Sequence, residues 1–157
     1  MTPLLVALYV LLLDQASKEW VRNAFDLHQS VELIPGFFNL TYIRNTGAAW
    51  GMFSGQNLTL ALLALTMLVA LVLFRRKILP PGALHRVALG LLCGGITGNL
   101  FDRLRLDYVT DYLDFYIGTW HWPAFNIADS AICIGVGIYL LGTLFTSPSP
   151  APPAPAP

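Results

Sequence analysis

Charge is what this sequence has least of. Only 11% of its 157 residues are Asp, Glu, Lys or Arg, while 55% are hydrophobic, and soluble domains carry about 25% charge. A chain so poor in charge is matched to lipid as its solvent. Its formal net charge is zero, so the basic excess that phosphate contacts require is missing, and nucleic acid is excluded as a partner. Histidine is as scarce: His28, His85 and His121 are scattered, and no His-Glu-x-x-His pattern occurs. Zinc chemistry therefore has no ligand set. Cys93 and Cys133 both lie in apolar stretches, where a reduced buried thiol is the default and neither disulfide nor nucleophile is expected. A Gly-x-Ser-x-Gly elbow is also absent, which argues against a serine mechanism built from Ser130 and His121.

What is present in quantity is uncharged apolar chain. Spanning a hydrocarbon core of about 30 Å takes roughly 20 apolar helical residues, because every backbone polar group must be satisfied within the segment. Residues 57–74 and 127–145 meet that requirement without any charge beyond Asp129 near the start of the second. Residues 83–101 reach the length if Arg86 snorkels to the headgroups. Residues 3–21 reach it only if Asp14 and Lys18 lie inside or at the edge of the membrane. A removed leader is not expected in that stretch, which lacks a basic start and a small-x-small cleavage site. The expectation is an all-α membrane protein with a small β element: one domain over 1–146 with four spans, outer segments over about 22–56 and 102–126, and a Pro-rich tail at 147–157 that should be disordered.

Orientation follows from the stretch Arg75–Arg86, which holds four basic residues and no acid; the positive-inside rule puts it in the cytoplasm. With four spans, both termini then face the cytoplasm. Asp14, Lys18, Asn45, Asn99, Asp102, Arg103, Asp111 and Asp129 all converge on the outer leaflet. In the first outer segment, 31–34 and 37–43 flank Pro35-Gly36 and read as two short strands about a tight turn. The aromatic-rich stretch 108–125 suits the headgroup zone as an interfacial amphipathic segment.

Asp14 and Lys18 are four residues apart and share a helix face; support of the fold is favoured over chemistry, because a paired carboxylate is held ionised. Gly90, Gly94 and Gly98 recur every fourth residue and would let another helix approach closely. Asp102 and Arg103 read either as an exposed pair of little value or, for Arg103, as a fork offered to a carbonyl or phosphate. Asp107, Asp111 and Asp114 sit at helical spacings and could form the wet stripe of an interfacial helix. Asp129 resists such a reading, because a carboxylate a turn inside an apolar span costs several kcal/mol unless paired, protonated or wetted. Paired with Asp111, it would form an acid and a base sharing one proton, able to activate water without a covalent intermediate.

Five blocks carry a resemblance: Asp14-Gln15-Ala16-Ser17-Lys18, Arg44-Asn45-Thr46-Gly47-Ala48-Ala49-Trp50-Gly51, Gly94 through Arg103, Val109-Thr110-Asp111-Tyr112 and Phe125-Asn126-Ile127-Ala128-Asp129-Ser130. In this order they resemble lipoprotein signal peptidase, the signal peptidase II family. The resemblance implies a bacterial inner-membrane aspartyl peptidase that cleaves diacylglyceryl-modified prolipoproteins before the lipidated Cys, with no metal or organic cofactor. It implies Asp111 and Asp129 as the catalytic pair, and Asn45, Gly47, Asn99, Arg103 and Asn126 as lining or bracing the substrate. Asp14 and Lys18 match the family's first-span polar pair. It further implies a monomer among membrane lipid and inhibition by the cyclic peptide globomycin. Thr110 stands where the family commonly has Val, and the tail lacks the family's basic residues. The competing class is a proton-coupled transporter or channel, since intramembrane acids and bases also mark ion paths, though no broken-helix repeat is visible.

Overall fold

The computed structural model describes residues 2–48, 52–78 and 82–145. Ala49, Trp50 and Gly51 of the second block, and the expected disordered tail at 147–157, lie outside the described residues. Four long helices carry one four-stranded antiparallel sheet: α1 (Pro3–Ala24), β1 (Ser30–Ile34), β2 (Phe38–Asn45), α2 (Asn57–Ile78), α3 (Ala83–Leu106), β3 (Val109–Ile117), β4 (Trp120–His121) and α4 (Ile127–Phe145). Helix α1 starts where Thr2 caps it, its hydroxyl accepting from the Leu5 N–H at 3.4 Å, with Pro3 in the first turn, the position where a missing N–H costs nothing. Helix α3 ends at Asp107, whose left-handed φ of 65° returns its N–H to the Arg103 carbonyl, closing the last turn.

α3 is the hub, packing against α1, α2 and α4. Its glycines make this possible. A Cβ on Gly90 would lie 2.5 Å from Val6 Cβ, one on Gly94 2.7 Å from the Ala7 carbonyl, and one on Gly98 2.5 Å from Asp14 Oδ2. The every-fourth-residue stripe thus seats α1, while Gly95, on another side of the helix, meets Ala128 of α4. Among the described residues two helices are long and apolar enough to cross a membrane, α2 over Asn57–Lys77 and α4 over Ile127–Leu144. Most of α2's large apolar side chains are exposed, the pattern of a helix solvated by lipid rather than by water.

The two strands expected in the first outer segment are β1 and β2, joined at Pro35-Gly36. Within the aromatic-rich stretch 108–125, Val109–Ile117 is strand β3 rather than a helix, in register with β2 through Asn45↔Val109 and Phe38↔Phe115, and α3 continues to Leu106. Val109, Thr110, Tyr112, Phe115 and Tyr116 are the β-branched and aromatic residues that a pleated, half-buried surface favours. Asp111 and Asp114, three apart, then point to opposite faces of the strand, so they form no helical wet stripe. Both are buried, Asp111 at 2% and Asp114 at 7% exposure. Asp107 is the exposed member, at the end of α3.

Candidate active site

Asp111 is carried by the buried first half of β3, and Asp129 sits in the first turn of α4. Only the segment 122–126 separates β4 from α4, and Phe125 is tied back to Leu113 by hydrogen bonds of 2.8 and 3.1 Å. That tie returns the chain so that both carboxylates line one cavity of about 230 Å³, with Asn45, Asn99, Arg103 and the stretch Trp122–Phe125.

Each carboxylate is held by asparagine amides. Asp111 Oδ1 accepts from Asn126 Nδ2 at 2.7 Å, and Oδ2 from Asn45 Nδ2 at 2.8 Å. Asp129 Oδ1 accepts from Asn99 Nδ2 at 2.7 Å, and Oδ2 from the Asn126 backbone N–H at 3.2 Å. An Asn side chain can point either end at a partner, but here a donor behind each amide oxygen fixes the choice. Lys18 Nζ donates to Asn99 Oδ1 at 2.9 Å, the Asp129 N–H to Asn126 Oδ1 at 3.0 Å, and the Gly47 N–H to Asn45 Oδ1 at 2.9 Å. With each oxygen so engaged, each NH2 must face its carboxylate. Asn126 touches both acids, through its side chain and its backbone.

Burial, and next the negative charge of Asp129, push the Asp111 carboxyl up to about 7, against the amide bonds from Asn45 and Asn126 that favour its anion. A group with that value is half-protonated near neutral pH, as an acid-base residue requires.

Behind Asn99 lies a buried ionic cluster. Lys18, 0% exposed, reaches Asp14 Oδ2 at 2.9 Å and Asp102 Oδ2 at 3.3 Å. Asp14 Oδ1 takes the Ala128 N–H at 2.9 Å, and Asp102 Oδ2 the Thr110 N–H at 3.1 Å. Gln15 Nε2 joins Asp14, Asp102 and the Gly98 carbonyl at 3.0 to 3.2 Å. The cluster therefore ties α1, α3, β3 and the start of α4 together. Of the two readings open for Asp102, the exposed pair fails, because the side chain is 1% exposed. Arg103 is directed elsewhere: it lines the cavity and donates to the Gly47 carbonyl at 2.7 Å. Gly47 itself is required by space, since a Cβ there would stand 2.6 Å from the Met52 carbonyl.

Asn45, Asn99, Arg103, Asp111 and Asp129 thus line the cavity, Lys18, Gly47 and Asn126 stand one hydrogen bond behind it, and Asp14 and Asp102 reach it only through Lys18. Sequence reasoning missed Gln15, quoted only as part of a block, and the cavity wall Trp122–Phe125. A polar residue beside Asp14 on an apolar helix was the signal for Gln15; the wall depends on the Phe125–Leu113 bridge, which no local pattern announces. Asp114, outside the cavity, is bonded by His121 Nδ1 at 2.8 Å and Asn39 Nδ2 at 3.2 Å. Among the described residues no group of three His, Cys, Asp or Glu side chains gathers as a metal site.

The chain is similar to known proteins over nearly its whole length. A family model described as "Signal peptidase (SPase) II" matches residues 6–145. Lipoprotein signal peptidase of Syntrophus aciditrophicus is 49% identical over 138 residues, covering 85% of this chain and 86% of the relative. That of Syntrophotalea carbinolica is 43% identical over 141 residues, covering 88% of each. Among solved structures, a bacterial membrane enzyme determined by the in meso method at 2.3 Å resolution superposes with a TM-score of 0.83 at 37% identity, covering 90% of this chain and 87% of that one.

Proposed function

The chain belongs to the signal peptidase II family, and on that premise we propose that it is a membrane aspartic endopeptidase removing the signal peptide from diacylglyceryl-modified prolipoproteins immediately before the lipidated Cys. One observation carries the reading to particular atoms: Asp111 and Asp129 line a single cavity, each held by amide donors on its far side. Their remaining lone pairs are left for a water and a substrate carbonyl.

In the mechanism we assign, the pair holds one proton between them. The ionised member takes a proton from water as that water attacks the scissile carbonyl, and the protonated member hydrogen-bonds the carbonyl oxygen. The proton is then passed to the leaving amine. The titration belongs to the pair as a unit, since close carboxylates lose their protons in coupled steps. Arg103, Asn45 and Gly47 position the peptide, Asn99 and Asn126 hold the acids, and Asp14, Lys18 and Asp102 brace the helices. Globomycin is expected to occupy the space between the two acids.

All four helices span the bacterial inner membrane in this reading, with residues 1–146 as one domain, both termini cytoplasmic and the cavity near the outer leaflet. α1 and α3 carry charge, yet Asp14, Lys18 and Asp102 are satisfied against one another inside the protein. Leu4, Leu5, Leu8, Tyr9 and Leu12 are turned outward, as lipid contact requires. In this reading the enzyme is a monomer surrounded by lipid.

The test is cleavage of a diacylated prolipoprotein by purified Asp111→Asn and Asp129→Asn proteins whose fold is verified. Loss of at least about a hundredfold in each is expected, the lower end for removing a general acid or base; near-native cleavage by either variant overturns the dyad. Arg103→Ala should raise KM more than it lowers kcat, because Arg103 positions the substrate and moves no proton.

A further inference from the structure

A second cavity lies on the other side of α3. Phe101 and Arg105 stand two residues either side of Arg103, about 200° around the helix from it, and so face away from the dyad. With Leu11, Leu12, Gln15, Glu19 and Arg22 of α1 they enclose a groove of about 460 Å³, within the usual range of about 300–1,000 Å³ for ligand pockets. Its lower wall is apolar, with Leu12 and Phe101 exposed. Its upper end is charged.

That upper end carries a pattern rather than a mere excess of charge. Arg22 is committed, donating to Thr110 Oγ1 at 2.9 Å and to Glu19 Oε2 at 2.7 Å. Arg105, more than half exposed, comes no nearer than 3.8 Å to Glu19, outside hydrogen-bond range, so its fork has donors to spare. Glu19 accepts from Arg22 on Oε2 and from Asn23 Nδ2 on Oε1 at 3.3 Å, yet it is half exposed and a carboxylate offers about four lone-pair sites, so acceptor capacity remains. A guanidinium with donors to spare and a half-exposed carboxylate thus stand side by side above an apolar slot, at the end of α1 and α3 where the chain leaves its apolar stretch.

We propose that this groove binds one glycerophospholipid with a primary-ammonium headgroup, an acyl chain lying along Leu11, Leu12 and Phe101, the phosphate on Arg105 and the ammonium on Glu19. Arginine's planar fork suits a phosphate, and a primary ammonium supplies N–H donors that a quaternary one lacks. An anionic headgroup without an amine would satisfy Arg105 and oppose Glu19. The inference rests on the four-span reading, which puts this end of α1 and α3 at the outer headgroups.

The test is native mass spectrometry of the full-length protein in detergent with added dioleoyl phosphatidylethanolamine, phosphatidylglycerol or phosphatidylcholine, alongside prolipoprotein cleavage by the same preparations. Wild-type protein should retain one phosphatidylethanolamine about fivefold better than either other lipid, the upper range for one exposed ionic contact. Glu19→Gln should bring phosphatidylethanolamine and phosphatidylglycerol to parity, and Arg105→Gln should weaken both together. Both variants should cleave at the wild-type rate, since neither residue touches the dyad cavity. Equal retention of all three lipids by wild-type protein, or selectivity unchanged in Glu19→Gln, overturns the proposal while intact cleavage leaves the peptidase reading standing. Absence of cleavage by wild-type protein would instead strike the peptidase reading.

Discussion

At the scale of single residues, the site is organised by asparagines whose orientation is dictated from behind. Asn126 is the most exposed to this logic, because it donates to Asp111 from its side chain and to Asp129 from its backbone. Asn126→Ala removes the first contact, the longer ones from the same amide to Asn99 Oδ1 and the Thr110 carbonyl, and the side-chain oxygen that receives the Asp129 N–H. Leaving a buried polar group unmatched costs about 1–3 kcal/mol. A lower thermal midpoint in detergent, with cleavage reduced by at least tenfold, is the expected result. Asp111 sets a pH dependence with a definite sign. Its folded value near 7 lies above the ordinary carboxylate value of 3.8, so between about pH 4 and 7 the native state binds more protons than the unfolded one. Its contribution to stability therefore declines as pH rises through that window. The thermal midpoint of Asp111→Asn relative to wild type should increase from pH 5 to pH 8, and wild-type cleavage should fall as pH passes about 7 and the shared proton is lost. Asp129 was legible from its sequence alone, as a charge that an apolar span could not carry unexplained. Asp111 was not: without the family pattern it was one acid among three, and what distinguishes it is a register, Ile43↔Asp111, between strands far apart in the chain.

At the scale of elements, the helix contacts were easier to read than the strand. The stripe Gly90, Gly94, Gly98 announced a close helix approach, and α1 makes that approach. Two substitutions separate spacing from mere propensity. Gly98→Ala places a methyl 2.5 Å from Asp14 Oδ2, and is expected to destabilise by about 1–3 kcal/mol, as overpacking does. Gly137→Ala on α4 meets nothing within 4 Å and should be neutral or stabilise by up to about 1 kcal/mol through helix propensity. Thermal midpoints in the same detergent compare the two directly. Strand β3 was misread because its acids fall at helical spacings. Its aromatic and β-branched residues favoured a strand, but pairing with β2 across more than sixty residues decided the matter, and period counting over a short window cannot see a partner.

For the whole molecule, the ionic cluster joins the pieces that the glycines bring together. Lys18 is 0% exposed between Asp14 and Asp102, so Lys18→Met strands two buried carboxylates. A loss of about 3–5 kcal/mol is expected, the cost of breaking a buried pair from one side. Combining it with Asp14→Asn and Asp102→Asn should recover part of that loss, because no uncompensated charge remains; chemical denaturation in mixed micelles would measure both. No recovery in the triple variant would mean that the cluster's geometry matters more than its charge balance.

The Ala128 N–H bound to Asp14 Oδ1 joins residues 114 positions apart, and it bears on how the enzyme is made. A ribosome that has delivered the chain as far as residue 125 has supplied Asp111, Asn45 and the whole of α1, but neither Asn126 nor Asp129. Asp14 at that moment lacks one of its donors, and Asp111 lacks the amide that bridges it to its partner. Helix α4 and the residue before it bring the second acid, the bridge and the missing N–H in four consecutive residues, 126–129. With Asp111 and Asp129 as the proposed pair, a nascent chain that has not reached residue 126 therefore holds an incomplete blade, and the cutting edge closes only once 126–129 have been made.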